Sequence, residues 1–255
     1  MSALRKSLQA VFPAGLPHVW KAQELARAQE GVVASGHAAL DAELPGGGWP
    51  LGLVEVVQDR PEQHVWQLTG PALVHCLQTQ PGPLVLVAAP FAPFLASLQA
   101  QGLAGSRMLW VKAGKPAQRL WAAEQALRCA EVAAVLAWLP QATSAELRRL
   151  QMAAQQHSKL LFVFRTPRCV QEASAARVRV QLGGTQEIAL RILKRRGPPL
   201  TQPLLLPACP PRLEALLAAR KRRPSTLPAA AVQSTHRSAF GARRSDVLDR
   251  IAAPG

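Results

Sequence analysis

Five short apolar runs constrain the fold of this chain more than any other feature of its sequence. Each run is rich in Val, Leu and Ile, and segments with helical character separate them. The runs are residues 53–57, 84–88, 108–111, 134–139 and 160–164. Near-continuous apolar strands that alternate with helices predict a mostly parallel central sheet flanked by helices on both faces. The sequence therefore predicts an α/β fold.

Three of the intervening segments carry helix signals. Residues 118–130 have apolar side chains at helical spacing, and residues 93–101 form a short helix candidate that ends before Gly102. Residues 143–157 open with Thr143 and Glu146 at the spacing of a capping box, in which the two side chains satisfy each other's backbone N–H groups. These segments predict helices that cover the sheet.

The strand pattern changes after the fifth apolar run. Residues 176–182 and 187–194 alternate polar and apolar side chains around Gly183 and Gly184. Such alternation around a glycine turn predicts an antiparallel hairpin with one face in water. We expect this C-terminal hairpin to extend the edge of the parallel sheet.

The chain is strongly basic, with 30 Lys and Arg against 15 Asp and Glu and a formal charge of +15. Such a charge predicts a polyanionic partner, with nucleic acid first and an anionic membrane surface second. From Arg191 onward there are 13 Lys or Arg and 3 Asp or Glu, so the excess lies mostly at the C-terminal end. We expect an N-terminal segment with an amphipathic helix at 1–32, a core at 33–197, and a Pro-rich, partly disordered basic tail at 198–255.

Cysteine usage and hydropathy indicate the compartment. The four cysteines are far apart and form no C-x-x-C pair, so neither a metal site nor a disulfide framework is predicted: Cys76, Cys129, Cys169 and Cys209. Scattered thiols fit a reducing compartment. No window approaches the ~18 apolar residues of a membrane span, so we expect a soluble, cytoplasmic protein.

The segment before the first apolar run leads toward a nucleotide site that the sequence does not complete. It contains a glycine turn at Gly46, Gly47 and Gly48, and the strand at 53–57 follows. A phosphate loop needs glycines, a Lys and a Ser or Thr hydroxyl, but residues 58–68 contain neither Gly nor Lys. We therefore expect no nucleotide cofactor.

Four ordered segments resemble a known family. They are VASGHAALDAELPGGGWPLGLVEVV from residue 33, LWAAEQAL from residue 120, RRLQMAA from residue 148 and LKRRGP from residue 193. Together they resemble ImuA, the RecA-like accessory protein of bacterial translesion synthesis. The resemblance implies a RecA-like core and a role in SOS-induced mutagenesis. It also implies two protein partners, an ImuB-like polymerase subunit and an error-prone replicative-type polymerase.

The sequence departs from the RecA pattern at two further positions. Ala88, Ala89 and Pro90 stand where an acidic residue would activate water, and Trp138 lies in the strand that would end in a Mg²⁺-binding Asp. Phosphoryl transfer depends on positioned cations and an oriented nucleophile. We therefore expect no ATPase activity.

Several side chains are candidate binding residues. The candidates for DNA are the following basic residues: Lys194, Arg195, Arg196, Arg220, Lys221, Arg222, Arg223, Arg165 and Arg168. They would neutralise phosphates without reading sequence. The alternative for the clusters is a solvated edge, with Arg220 to Arg223 complementing the C-terminal end of a helix, and the alternative for Arg165 and Arg168 is a short connector, which is favoured there. Trp49, in the glycine turn, and Trp20, in an amphipathic segment, are the candidates for protein contact.

These observations leave three functions open. The first is a non-catalytic adaptor in translesion synthesis that binds DNA and the ImuB-like subunit. The second is a regulator of recombinase filaments that acts through a shared fold. The third is a nucleotide-dependent DNA motor with an atypical phosphate loop.

Overall fold

The structure is a computed structural model that describes residues 31–61, 63–185, 187–198 and 200–208. Trp20, Cys209 and the cluster Arg220, Lys221, Arg222 and Arg223 lie outside the described residues. The predictions for the N-terminal segment and for most of the basic tail therefore stay predictions.

The described residues form ten strands and five α-helices. The strands are β1 (Val32–Val33), β2 (Trp49–Pro50), β3 (Gly52–Gln58), β4 (Leu84–Val87), β5 (Met108–Val111), β6 (Ala134–Trp138), β7 (Leu160–Arg165), β8 (Val178–Gly183), β9 (Glu187–Lys194) and β10 (Leu204–Pro207). The helices are α1 (Ala38–Glu43), α2 (Val65–Thr79), α3 (Leu95–Ala100), α4 (Pro116–Arg128) and α5 (Ser144–Gln156).

Eight strands form one central sheet in the order β10-β9-β8-β3-β7-β6-β4-β5. The five predicted apolar strands are β3 to β7, and they pair with one another in parallel. β1 and β2 form a separate antiparallel pair. The α/β prediction with a mostly parallel central sheet is therefore confirmed.

The predicted hairpin is also confirmed. β8 and β9 pair antiparallel, and β8 joins β3 in parallel, so the hairpin extends the sheet beyond β3. Gly184 adopts φ +86°, and a Cβ there would collide with the backbone of Glu187, which explains the glycine at this turn. The sheet continues past the expected core boundary at 197, because β10 pairs with β9.

Helices cover both faces of the sheet. One apolar cluster includes residues of α1 and α2, and the cluster on the other face includes residues of α4 and α5. The capping box at the start of α5 is present: the backbone N–H of Thr143 donates to Glu146 Oε2 at 2.7 Å, and the backbone N–H of Glu146 donates to Thr143 Oγ1 at 3.3 Å. The helix α2, which has Pro71 in its interior, was not predicted.

No helix of the described residues combines the length and the apolar character that crossing a bilayer requires.

Candidate functional site

The connection between β4 and α3 is the most unusual part of the described surface. We call residues 88–94 the aromatic loop. It begins at the carboxyl end of β4, the edge at which α/β sheets commonly bind their partners. Ala88 adopts φ 53°, and its backbone N–H donates to the carbonyl of Val111 at 2.9 Å. A positive φ is costly for a residue with a Cβ, so the loop leaves the sheet through a strained turn.

The aromatic loop carries large apolar side chains in water. Phe94 is 75% exposed and Phe91 is 59% exposed, and Leu95 at the start of α3 is 51% exposed. Scattered apolar side chains are normal on a protein surface, but three within five residues form a patch. Buried aromatic anchors supply much of the free energy of protein association. The patch is therefore a candidate protein interface.

Two cavities lie under and beside the aromatic loop. One of about 200 Å³ is lined by loop residues together with Trp66 and Trp138. Another of about 280 Å³ shares Pro61, Pro90 and Trp138 with the first and extends to Arg119. The ring of Trp138 stacks on Phe164 with 4.5 Å between centroids. Aromatic side chains, among them Trp138, therefore line both cavities.

Basic side chains lie at the carboxyl end of β5, in the segment that connects β5 to α4. Lys112 places its Nζ 5.0 Å from the ring centroid of Trp110. Lys115 is exposed, and Arg119 donates from Nε to the carbonyl of Ala113 at 3.0 Å. The combination favours a partner surface that is apolar at its centre and acidic at its rim.

The segment at the position of a phosphate loop, residues 58–64, makes other contacts within the fold. Gln58 donates from Nε2 to the carbonyl of Pro61 at 3.1 Å, and α2 begins only at Val65. His64 precedes α2 with φ 53°, and its Nε2 lies 3.2 Å from the carbonyl oxygen of Gly184 in the hairpin turn. The segment is therefore tied to the hairpin. The expected absence of ATPase activity stays a prediction.

Arg165 was expected to contact DNA, but it is buried and 3% exposed. Its Nη1 lies 3.1 Å from Glu55 Oε1, and its Nη2 lies 2.7 Å from Glu172 Oε2. Burial alone would lower the pKa of the Arg165 guanidinium, but the hydrogen bond to Glu172 and the charges of Cys169 and Glu55 raise it overall. The expectation was wrong because the charge of Arg165 is compensated inside the fold.

The other basic candidates differ in exposure and in partners. Arg195 pairs with Glu43, with 2.6 Å between Nη1 and Oε2, and only 11% of its side chain is exposed. Lys194 donates to the carbonyl of Ser174 at 2.8 Å, whereas Arg168 and Arg196 are exposed. Arg165 is buried and therefore shares no exposed surface with these side chains.

Trp49 was expected to contact a partner, and this was wrong. The side chain is fully buried and makes an edge-to-face contact with Phe162, with 5.5 Å between ring centroids. The glycine turn beside it allows a close approach, since a Cβ on Gly48 would collide with the backbone of Val33. Trp49 is therefore a core residue.

Comparison with known proteins finds similarity to SulA over part of the chain. Residues 52–161 match the family model of the cell division inhibitor SulA. The chain is also similar to the crystal structure of SulA from Pseudomonas aeruginosa, with 26% sequence identity. That match covers 44% of this chain and 97% of that chain, with a TM-score of 0.37. No curated protein matches the chain.

The resemblance to ImuA was wrong: residues 52–161, which contain the second and third of the four resembling segments, match SulA. The RecA-like core is not confirmed. The role in translesion synthesis falls with the resemblance, as do DNA, the ImuB-like subunit and the polymerase as partners. The recombinase regulator and the DNA motor have no support either. The resembling segments form the start of a strand and the packed faces of helices. Many α/β folds need such residues, so the segments do not identify one family.

The aromatic loop was not among the predicted binding residues. Its signal was present in residues 88–94, AAPFAPF, which contain two Phe and two Pro and no polar side chain between a strand and a helix. Loops are commonly polar, and an apolar one on a surface is a candidate for binding.

Proposed function

We propose that this protein inhibits cell division in the SOS response, acting in the cytoplasm on FtsZ, the partner of SulA-like inhibitors. The match of residues 52–161 to the SulA family model is the observation that carries the proposal. The aromatic loop lies inside the matched range and supplies a surface suited to a protein partner.

The proposal predicts a direct effect on FtsZ assembly. When the purified full chain is added to FtsZ of the same bacterium with GTP, the amount of FtsZ that sediments should fall as the inhibitor approaches equimolar concentration. Expression of the chain in growing cells should give filaments that replicate DNA without dividing. Normal sedimentation of FtsZ in the presence of a folded excess of the chain would contradict the proposal.

We also propose that inhibition requires no ATP hydrolysis by this chain. Residues 58–68 lack the Gly and Lys of a phosphate loop, and the segment is held by contacts to Pro61 and Gly184. We expect purified protein with Mg²⁺ and ATP to release no more phosphate than a buffer blank. Turnover that persists through purification and disappears when Gln58 is substituted would show an active site.

A further inference from the structure

A second exposed surface lies on the helices α4 and α5, away from the aromatic loop. Trp121 on α4 and Met152 on α5 are each 64% exposed. α4 connects β5 to β6, with β4 between them in the sheet, and α5 connects β6 to its neighbour β7. All of these strands are parallel, so both helices run in the same direction across one face of the sheet. They also pack against each other. We call the surface that contains Trp121 and Met152 the α4–α5 face.

An ion-pair network joins the two helices on this face. Glu124 Oε1 lies 2.7 Å from Nη2 of Arg128, and Glu124 Oε2 lies 2.6 Å from Nη2 of Arg149. The Glu124 side chain is only 10% exposed, but those of Arg128 and Arg149 are 58% and 61% exposed. One buried carboxylate thus holds two guanidinium groups that remain accessible, so the network has a net positive charge.

The sequence spacing places the apolar residues on either side of the network. Trp121 precedes Glu124 by one helical turn, and Met152 follows Arg149 by one turn. Since Glu124 and Arg149 are in contact and the helices are parallel, the two offsets of three residues place Trp121 and Met152 ~9 Å apart along the helix direction. Arg149 precedes Met152 on α5 and its side chain is 61% exposed, and the neighbouring Arg148 is also exposed.

We propose that the α4–α5 face binds an acidic amphipathic helix of a partner protein. Apolar side chains seven residues apart on such a helix would contact Trp121 and Met152, and carboxylates on the intervening turn would meet the exposed guanidinium groups. This is the charge pattern that complements the face. A second copy of this chain fits poorly, because it would bring arginines against arginines. The interaction does not depend on the partner of the aromatic loop.

Peptide binding to the full chain tests this surface. The probe is a fluorescein-labelled 18-residue helical peptide with Leu at two positions seven apart and Glu on the turn between them. The control peptide has Lys in place of each Glu. We expect fluorescence anisotropy to show saturable binding of the Glu peptide alone, with an affinity that falls as NaCl is raised. Trp121→Ser should weaken binding about tenfold or more, as loss of an aromatic anchor does.

A matched substitution distinguishes binding at this face from nonspecific hydrophobic binding. Leu205 on β10 is also 64% exposed, and Leu205→Ser should leave peptide affinity unchanged. Arg148→Glu should weaken binding of the Glu peptide, with circular dichroism confirming that each variant is folded. The proposal is overturned if Trp121→Ser and Leu205→Ser behave alike, or if both peptides bind equally. It is also overturned if Trp121→Ser instead abolishes a concentration-dependent dimer or binding to anionic vesicles.

Discussion

Substitution of Phe91 and Phe94 by serine is expected to abolish inhibition of FtsZ assembly. The two rings are 59% and 75% exposed, so they contribute little to the core but would be buried against a partner. Truncation of an aromatic anchor at an interface commonly costs about 2 kcal/mol or more, which is roughly 30-fold in affinity. The measurement is the concentration of each variant that halves sedimentation of FtsZ.

Two controls make the loss of inhibition specific to the aromatic loop. Leu109 on β5 is 52% exposed, and Leu109→Ser removes a comparable apolar side chain from the surface. We expect it to inhibit like the unsubstituted chain. The free energy of unfolding of each variant should change by no more than about 0.5 kcal/mol, as is usual for exposed positions. Full inhibition by the Phe91→Ser/Phe94→Ser variant would place the interface elsewhere.

The parts of the fold that follow from local pattern were predictable. Residues 134–139 had to form a buried strand because a near-continuous apolar run cannot face water, and β6 occupies Ala134–Trp138. The start of α5 followed from Thr143 and Glu146 because capping uses groups only three residues apart. Such features depend on neighbours in the chain, which the sequence displays directly.

Features that depend on pairing between distant strands could not be predicted in the same way. Glu55 is opposite Arg179 in the β3–β8 register, and Arg165 reaches Glu55 from β7. In the sequence, Arg165 and Arg168 are two basic residues near a strand end and look equivalent. Only the fold shows that the first is buried and the second is exposed. Charge alone therefore gave a poor guide to the binding surface.

The functional prediction failed for a related reason. A tight turn that leads into a buried strand favours glycine in many folds. In this chain the turn at Gly48 lies against the backbone of Val33, and the adjacent Trp49 is fully buried. The pattern therefore reports packing and does not identify a family. The aromatic loop, in contrast, contains side chains that folding leaves exposed, and such residues carry more information about partners.

Substitution of Glu55 by Gln should be among the most destabilising changes in the described residues. Glu55 is fully buried in β3, with Arg165 Nη1 3.1 Å from Oε1 and Arg179 Nε 3.2 Å from Oε2. Gln preserves the side-chain volume but removes the negative charge that faces Arg179, and it leaves Arg165 with only the half-exposed Glu172 as a charged partner. Breaking a buried ion pair by removing one partner costs about 3–5 kcal/mol. Urea unfolding, with the slope unchanged, measures this loss.

The same chemical change at Glu172 provides the matched control for Glu55→Gln. Glu172 Oε2 also pairs with Arg165, at 2.7 Å, but the Glu172 side chain is 51% exposed. Water therefore stabilises the charge that remains after Glu172→Gln, and an exposed pair contributes at most about 1 kcal/mol. If the two substitutions lower the free energy of unfolding equally, the interior around Glu55 must admit enough water to solvate both arginines. The difference in free energy of unfolding between the two variants thus measures how much the ion pairs of Glu55 with Arg165 on β7 and Arg179 on β8 stabilise the sheet.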